Sequence, residues 1–417
     1  MYEGKSHTLF AKYAVPQMIG LLFNSVYMIV DGVFIGNRLG RDAMAAAAVS
    51  VPLVEILIAL SMAVSTGAGV MISAHLGQGQ KERARHMFSL AALCTAVMGL
   101  LISVFGTIFI HPLAELLGST PVIHDEAISY MWYIITFSPF LLFSFLLSGL
   151  VRNDNRPKLA MFALMFGSVS NIVLDYVFMY PLNMGIAGAA LATGIGQVLT
   201  LTIYLFVYNT TEISVRVRRD CMTPNRKMDV SLYAIGIPAI LNLALPSLLV
   251  SFLNSILAAY SQVYVVVLGI YYKLQTFLYL PANGIVQGLR PIIGYNYGAG
   301  EDARVKRIYN LTLAMTGTIM AGGTVLCLVF AGPLMNVFSS NPETIAAGQT
   351  ALRIICAGFI VSSLTVTGSG ALEGLGKGTE SLIISLVRYI IAMMPIAWVL
   401  CRLLGPTGVW HAFWITE

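Results

Sequence analysis

Apolar stretches of about 20 residues recur along the whole of this 417-residue chain. A helix of that length crosses the hydrocarbon core of a bilayer, where every backbone polar group must be paired internally. Only 10% of the residues are charged, whereas soluble domains carry roughly 25%. The mean hydropathy is +0.80. Because so little charge cannot cover a water-facing surface, the sequence predicts an all-α membrane protein.

The apolar runs predict twelve transmembrane helices. From Gly408 only ten residues remain, which is about half of what a span needs. Either the last helix is truncated in the chain as given, or it ends inside the membrane, and we expect the former. The predicted spans cover residues 13–36, 46–76, 88–112, 127–151, 158–181, 186–208, 232–257, 259–294, 309–335, 348–373, 379–404 and 408 onward.

The Lys and Arg residues in the predicted loops indicate the orientation. With the N-terminus inside, seventeen lie in inner segments and three in outer loops, as the positive-inside rule requires. We therefore expect a multi-pass protein of the plasma (inner) membrane with a cytoplasmic N-terminus. The inner residues are Lys5, Lys12, Lys81, Arg83, Arg85, Arg152, Arg156, Lys158, Arg216, Arg218, Arg219, Arg226, Lys227, Arg304, Lys306, Arg307 and Lys377, and the outer ones are Arg38, Arg41 and Arg402.

The chain also repeats itself. The stretch HLGQGQKERARHMF (75–88) resembles NYGAGEDARVKRIY (296–309), an offset of 221 residues. Pro16 and Pro238 correspond at an offset of 222. Each half holds six spans in the same orientation, and such parallel repeats are a transporter architecture. The alternative, duplication in a structural protein, would leave polar residues inside the spans without a cavity to face.

The repeat divides the chain into two predicted lobes. The N-terminal six-helix lobe covers residues 1–208, a polar and basic cytoplasmic linker covers 209–231, and the C-terminal six-helix lobe covers 232–417. The two lobes are expected to be related by a pseudo-two-fold axis along the membrane normal.

Three predicted spans carry polar side chains spaced three or four residues apart, which places each set on one helical face. The sets are Asn24, Tyr27 and Asp31 in the first span, Asn171 and Asp175 in the fifth, and Thr193 and Gln197 in the sixth. A charge at a helix centre costs roughly 2.5–3.5 kcal/mol on insertion scales, so the two aspartates indicate a buried polar pocket.

Asp31 and Asp175 would give such a pocket a proton-binding function, since two carboxylates in a low dielectric do not easily both ionise. The same oxygens would suit Na⁺. The alternative is that each aspartate only forms a hydrogen bond to a neighbouring helix.

With these residues the chain resembles the multidrug and toxic compound extrusion (MATE) family, closest to its bacterial DNA-damage-inducible branch. The resemblance covers all 417 residues and includes VDGVFIGNRLG and PIIGYNYGAG. It implies two lobes that alternately open a central cavity to either side. It also implies a cation site at Asp31, Asn171, Asp175 and Thr193, cavity positions at Asn24 and Tyr27, and a helix bend at Pro16.

A second cation site in the C-terminal lobe is not expected. The family's other arrangement has carboxylates in the middle of helices seven and ten. Here the corresponding stretches, LPSLLVSFLNSIL and IVSSLTVTGSG, offer Asn254, Ser255 and further hydroxyls but no acid.

Other charged residues inside the spans are open to two interpretations. Lys273 would line the cavity of the C-terminal lobe or hold an anionic partner, such as Glu55 or a substrate group, or it would extend to the interface. Glu55 fits either a cavity role or an outer-facing position. Arg388 is expected to face the interior of the C-terminal lobe.

The stretch EGLGKGTES (373–381) lacks the spacing of a phosphate loop. We therefore expect transport to be driven by an ion gradient and to need no cofactor.

These observations predict a secondary active multidrug efflux antiporter that exports amphipathic, cationic compounds in exchange for H⁺ or Na⁺. We expect a monomer that acts on small molecules within membrane lipid, with no nucleic-acid partner. One alternative is a lipid-linked precursor flippase of the same superfamily, which would carry several basic cavity residues and extra helices. The other is an intramembrane enzyme, although no metal, Ser/Lys or Asp/Asp signature is present, so we expect no enzymatic activity.

Overall fold

The computed structural model describes residues 6–222 and 226–417. Lys5 and residues 223–225 of the predicted linker lie outside the described residues. Within them the chain is almost entirely helical. The α-helices are α1 (Ser6–Leu39), α2 (Arg41–Gly77), α3 (Lys81–Ile108), α4 (Ile110–Leu116), α5 (His124–Asn153), α6 (Pro157–Met179), α7 (Ile186–Thr210), α8 (Arg226–Ala258), α9 (Gln262–Gly298), α10 (Asp302–Phe338), α11 (Pro342–Ile355), α12 (Phe359–Gly374), α13 (Gly378–Leu386), α14 (Met394–Leu404) and α15 (Pro406–Thr416).

The prediction of an all-α membrane protein is confirmed. Eleven helical segments of the described residues are long and apolar enough to cross a membrane, and they follow the first eleven predicted spans. Helix α15 stands where the twelfth was predicted and has 11 residues, which is too short to span. The protein is therefore a multi-pass membrane protein.

Several helix ends differ from the predicted boundaries for local reasons. Helix α3 stops at Ile108, before the predicted end at residue 112, because Pro112 clashes with the carbonyl four residues earlier. Helix α8 begins at Arg226, inside the predicted linker. A π-helical turn, Val387–Met393, interrupts the eleventh span. It lies just before Pro395, which cannot donate to the carbonyl of Ile391.

The chain forms two compact units. The N-terminal unit comprises Val15–Ile237 and Gly298–Gly300, and the C-terminal unit comprises the described residues 6–14 with Pro238–Tyr297 and Glu301–Glu417. In the N-terminal unit α5 packs against α2, α3, α6 and α7. In the C-terminal unit α10 packs against α11 and α12, and α14 packs against α15.

Small residues allow the helices of the N-terminal unit to approach closely. A Cβ at Gly194 would collide with the ring of Phe137, and a Cβ at Gly167 would collide with Thr200. Such small residues are typical of helix contacts in membranes, where packing rather than the hydrophobic effect drives association. The contact at Gly167 joins α6 to α7, the two helices that carry most of the predicted polar pocket.

Candidate functional site

Helices α1, α6 and α7 bring four of the predicted polar residues together inside the N-terminal unit. Asp175 and Asn171 are 0% and 2% exposed on α6, and Asp31 on α1 and Thr193 on α7 are half-buried. We call Asp31, Asn171, Asp175 and Thr193 the acid cluster. Their roles remain a prediction, but their convergence follows from the helical spacing seen in the sequence.

Hydrogen bonds order the acid cluster around the amide of Asn171. When this amide is oriented so that Nδ2 donates to Asp175 Oδ2 at 3.1 Å, its oxygen accepts from Thr193 N at 3.1 Å and from Thr193 Oγ1 at 3.3 Å. Asn171 thereby links the carboxyl group on α6 to Thr193 on α7. This contact fixes one oxygen of Asp175 while leaving the other available.

The two carboxyl groups lie close enough to interact electrostatically. Asp31 Oδ1 and Asp175 Oδ1 are each buried and accept no hydrogen bond. Buried polar atoms are rarely left without a partner, so these two oxygens, with Asn171 and Thr193 beside them, are suited to hold a proton or a hard cation.

Two tyrosines complete the surroundings of the acid cluster. Tyr27, on the same helix as Asp31, and Tyr130, on α5, lie close enough to both carboxyl groups to interact electrostatically. The position of Tyr27 agrees with its predicted place on the face of Asp31. Tyr130, 8% exposed, is absent from the sequence prediction because its place beside the carboxyl groups depends on how α5 packs within the N-terminal unit.

Among the described residues, the other predicted cavity residues form no hydrogen bond or ion pair with the acid cluster. Asn24 is half-buried on α1. Gln197, one turn beyond Thr193, accepts through its backbone oxygen from Ser144 Oγ at 3.3 Å. Glu55 and Lys273 are exposed on α2 and α9. Glu55 belongs to the N-terminal unit and Lys273 to the C-terminal unit, and the suggested pairing between them stays a prediction.

Pro16 lies inside α1, which runs through it as one continuous helix. The next residue, Gln17, accepts through Oε1 from Arg152 Nη1 at 2.7 Å. This hydrogen bond holds α1 against α5 next to the proposed bend. Its hinge function remains a prediction.

The interior of the C-terminal unit holds paired charges. Arg388, in the π-helical turn, forms an ion pair with Glu417, and their side chains are 14% and 10% exposed. Arg388 Nη1 also donates to Tyr389 Oη at 3.2 Å, and Thr365 Oγ1 donates to Glu417 Oε2 at 3.5 Å. The position of Arg388 agrees with the expectation that it faces the interior of this half.

A second buried carboxylate of the C-terminal unit escaped the sequence analysis. Glu373, 6% exposed, forms an ion pair with Arg290. Its Oε1 accepts from Asn242 Nδ2 at 3.1 Å and from Ser381 Oγ at 3.3 Å. In the sequence Glu373 is a single acid at the end of an apolar run. The glycine turn that follows it favours a loop position, so its burial was not predicted.

The described residues contain no group of three or more His, Cys, Asp or Glu side chains that could hold a metal ion. A Na⁺ ion at the acid cluster would therefore rely on two carboxylates supplemented by amide and hydroxyl oxygens. These are the oxygen donors that hard cations prefer, so the donor set fits.

Comparison with known proteins agrees with this architecture. The MatE family model matches residues 16–177 and 238–399, two copies whose limits reproduce the internal repeat. The multidrug export protein MepA of Staphylococcus saprophyticus is 23% identical over 417 residues, covering 100% of this chain and 91% of the relative. MepA of Staphylococcus aureus strain N315 is 25% identical over 407 residues, covering 97% of this chain and 89% of the relative.

A solved structure shares the fold. The outward-facing conformation of a multidrug resistance MATE family transporter of the MOP superfamily aligns with a TM-score of 0.91 at 24% identity, covering 99% of this chain and 93% of that chain.

Proposed function

This chain belongs to the MatE family, and from that premise we propose that it is a secondary active multidrug efflux antiporter. It exports amphipathic, cationic small molecules in exchange for H⁺ or Na⁺, as a monomer in the plasma membrane with a cytoplasmic N-terminus. The names of the MepA relatives, which cover nearly the whole chain, support the multidrug part of the proposal. The positive-inside bias of the sequence supports the orientation.

The observation that carries the ion-coupling part is the unneutralised carboxyl pair of the acid cluster. No Lys or Arg forms an ion pair with Asp31 or Asp175 among the described residues. Two carboxylates in one low-dielectric site repel each other, and the uptake of one proton or one Na⁺ relieves that repulsion. The charge of the site can therefore change during a transport cycle.

Coupling requires that the ion and the exported compound favour different states of the protein. In this proposal the acid cluster, loaded from the outside, favours the state that releases the compound. Asn171 and Thr193 orient Asp175, while Asp31 brings α1, with its Pro16, into the same site. A change in charge at the acid cluster then acts directly on the helix expected to bend.

The test is transport by the purified protein in proteoliposomes under pH and Na⁺ gradients imposed separately. Efflux of a fluorescent cationic dye should follow at least one gradient and stop when that gradient is dissipated. Dye transport that persists with both gradients absent would refute ion coupling.

The structure does not favour a lipid-linked precursor flippase. Such a protein would need several uncompensated basic groups in its cavity, whereas the partly buried arginines Arg290 and Arg388 are each paired with a glutamate. In the same assay a flippase would move a lipid-linked precursor and leave the dye gradient unchanged.

A further inference from the structure

Arg38, in the last turn of α1, is attached to α6 and to the turn that follows it. Its Nη2 donates to Asn183 Oδ1 at 2.6 Å, and its Nε lies 3.4 Å from the backbone oxygen of Met179, a longer and weaker contact. The guanidinium also lies over the ring of Tyr180, 5.5 Å from its centre. In the proposed orientation this end of α1 faces the outside, so we call Arg38, Met179, Tyr180 and Asn183 the outer clamp.

The outer clamp reaches the connection between the two helices that hold most of the acid cluster. Asn183 lies in the turn between α6 and α7 and has a φ of 50°, a left-handed conformation that asparagine adopts more readily than most residues. Helix α6 carries Asn171 and Asp175, and α7 carries Thr193. The side chain of Arg38 therefore attaches α1 to both helices at once.

An aromatic contact adds to this attachment. The ring of Phe34 lies 5.9 Å from that of Tyr180, nearly edge to face, and 6.4 Å from that of Tyr176. Such pairs stabilise a contact beyond the area that they bury. Phe34 and Arg38 follow Asp31 by three and seven residues, so all three share one face of α1, and Arg38 lies about 10 Å farther along the axis than Asp31.

Helix α1 is packed loosely, so a few side-chain contacts decide where it lies. Only 11% of the residues in its apolar stretch are buried, compared with 56% for α5 and 44% for α7. Towards the inner end Gln17 accepts from Arg152 at 2.7 Å, and at the outer end α1 is held by the outer clamp. Asp31 lies between these two attachments, so a change at either one can move it relative to Asp175.

We propose that Arg38 is a positioning residue for the acid cluster, which holds the outer end of α1 so that Asp31 stays beside Asp175. The proposal rests on the proposed function, because it assigns the coupling ion to the acid cluster. The charge of Arg38 would act in the opposite direction, since a positive charge about 10 Å from a cation site weakens binding. Removing Arg38 therefore separates positioning from simple electrostatics by the sign of the effect.

The test is dye efflux by the purified protein in proteoliposomes, measured against the concentration of H⁺ or Na⁺. Arg38→Gln should raise the concentration needed for half-maximal efflux about two- to tenfold, the size of a lost hydrogen bond, with little change in the maximal rate. Arg38→Lys keeps the charge but not the planar donor geometry, so it should show the same rise. An unchanged or lowered half-maximal concentration in Arg38→Gln would overturn the proposal.

Asn183→Gly tests the other side of the outer clamp without altering any charge. Glycine tolerates the positive φ, and the substitution removes only the acceptor. It should reproduce the effect of Arg38→Gln, and the double variant should be no worse than either single one, because both changes remove the same contact. Asn183→Asp keeps an acceptor and should retain the wild-type value. Additive effects in the double variant would show that the two residues do not act through one contact.

Arg402→Gln is the matched control. Arg402 is also predicted to lie on the outer side, and its guanidinium lies 4.0 Å from the ring centre of Trp398, but it belongs to the C-terminal unit. The variant should keep the half-maximal ion concentration of wild type. A rise equal to that of Arg38→Gln would mean that the effect does not arise at the outer clamp.

Hydrogen exchange in detergent tests the attachment without transport. The backbone amides of residues 31–39 should exchange at least about threefold faster in Arg38→Gln and Asn183→Gly than in wild type, with α6 unchanged. Unchanged exchange at this end of α1 would refute the outer clamp. Wild-type efflux that follows neither gradient would refute the proposed function itself, whereas gradient-driven efflux with unaltered ion dependence in both variants would refute only the positioning role.

Discussion

The two units correspond to the two halves of the sequence repeat, but their interior charges are arranged in opposite ways. In the N-terminal unit Asp31 and Asp175 lie close enough to interact electrostatically, and the described residues provide them with no basic ion-pair partner. In the C-terminal unit Arg388 is paired with Glu417 and Arg290 with Glu373. A buried pair of like charges can lower its energy by taking up a cation, whereas an ion pair is already neutral. This difference supports our proposal that the N-terminal unit carries ion coupling.

The repeat itself shows that the fold does not require these charges. At an offset of 221 Arg388 corresponds to Gly167, and at an offset of 220 Glu417 corresponds to Gln197. Ser144 Oγ donates to the backbone oxygen of Gln197, and Thr365 Oγ1, which corresponds to Ser144 at an offset of 221, donates to the side chain of Glu417. The position that holds Arg388 in one unit thus holds a small residue in the other.

The largest expected effect is at the carboxyl pair. Asp31→Asn and Asp175→Asn keep the shape of the side chain but cannot titrate, so each should abolish gradient-driven efflux in vesicles while part of the compound binding survives. The double variant should be no worse than either single one, because the two groups act as one unit. Asp42→Asn, at an exposed position on α2, is the control and should transport normally. Wild-type efflux by Asp175→Asn at every tested pH and Na⁺ concentration would remove the acid cluster from the coupling mechanism.

The charged pair of the C-terminal unit should instead govern stability. Glu417→Gln leaves Arg388 buried without a counter-charge, which destabilises proteins by about 3–5 kcal/mol. Thermal unfolding followed by size-exclusion chromatography should show this loss, and Arg388→Met combined with Glu417→Met should recover most of it. Asp175→Asn should cause no comparable loss, because it removes an unpaired charge. If Glu417→Gln unfolds normally but loses its ion dependence, the contrast between the units is wrong.

How much the sequence predicts depends on the range of the interaction. The positions of Asp31, Asn171, Asp175 and Thr193 were predictable because helical spacing places polar residues on one face, and a bilayer forces such faces together. The place of Tyr130 was not predictable, because it depends on how α5 packs within the N-terminal unit. The Arg388–Glu417 pair joins residues from separate helices, and no local pattern connects them.

A smaller loss of stability is expected where α6 and α7 touch. Gly167→Ala would place a methyl group against Thr200, and overpacking of this kind costs about 1–3 kcal/mol. Thr200→Ala in the same chain should restore the heat stability measured by the same chromatography. Because the counterpart of Gly167 is Arg388, this close approach should be specific to the N-terminal unit. A stable Gly167→Ala protein would mean that α6 and α7 approach each other less closely at Gly167 than the structure indicates.

Within the acid cluster, Thr193→Val should have a modest effect. It keeps the volume of the side chain and removes one hydroxyl group, and such a hydrogen bond contributes about 0.5–1.5 kcal/mol. The concentration of H⁺ or Na⁺ needed for half-maximal efflux should therefore rise about two- to tenfold, with little change in the maximal rate. Thr202→Val, on the exposed side of α7, provides the control. An unchanged half-maximal concentration would exclude Thr193 from the ion site.

The smallest expected effect concerns Lys273, which is exposed on α9 without an ion-pair partner among the described residues. If it contributes to compound recognition, Lys273→Ala should change the relative export of anionic and cationic test compounds by a few fold, because one charge in a partly hydrated site contributes about 1 kcal/mol. The ion dependence of efflux should stay as in wild type, since coupling is assigned to the other unit, and Lys273→Arg should retain the original preference. The measurement is efflux of a matched set of dyes of differing charge from vesicles with equal amounts of protein. Equal loss for every dye would indicate a structural role for Lys273, and a shift in ion dependence would show that the C-terminal unit takes part in coupling after all.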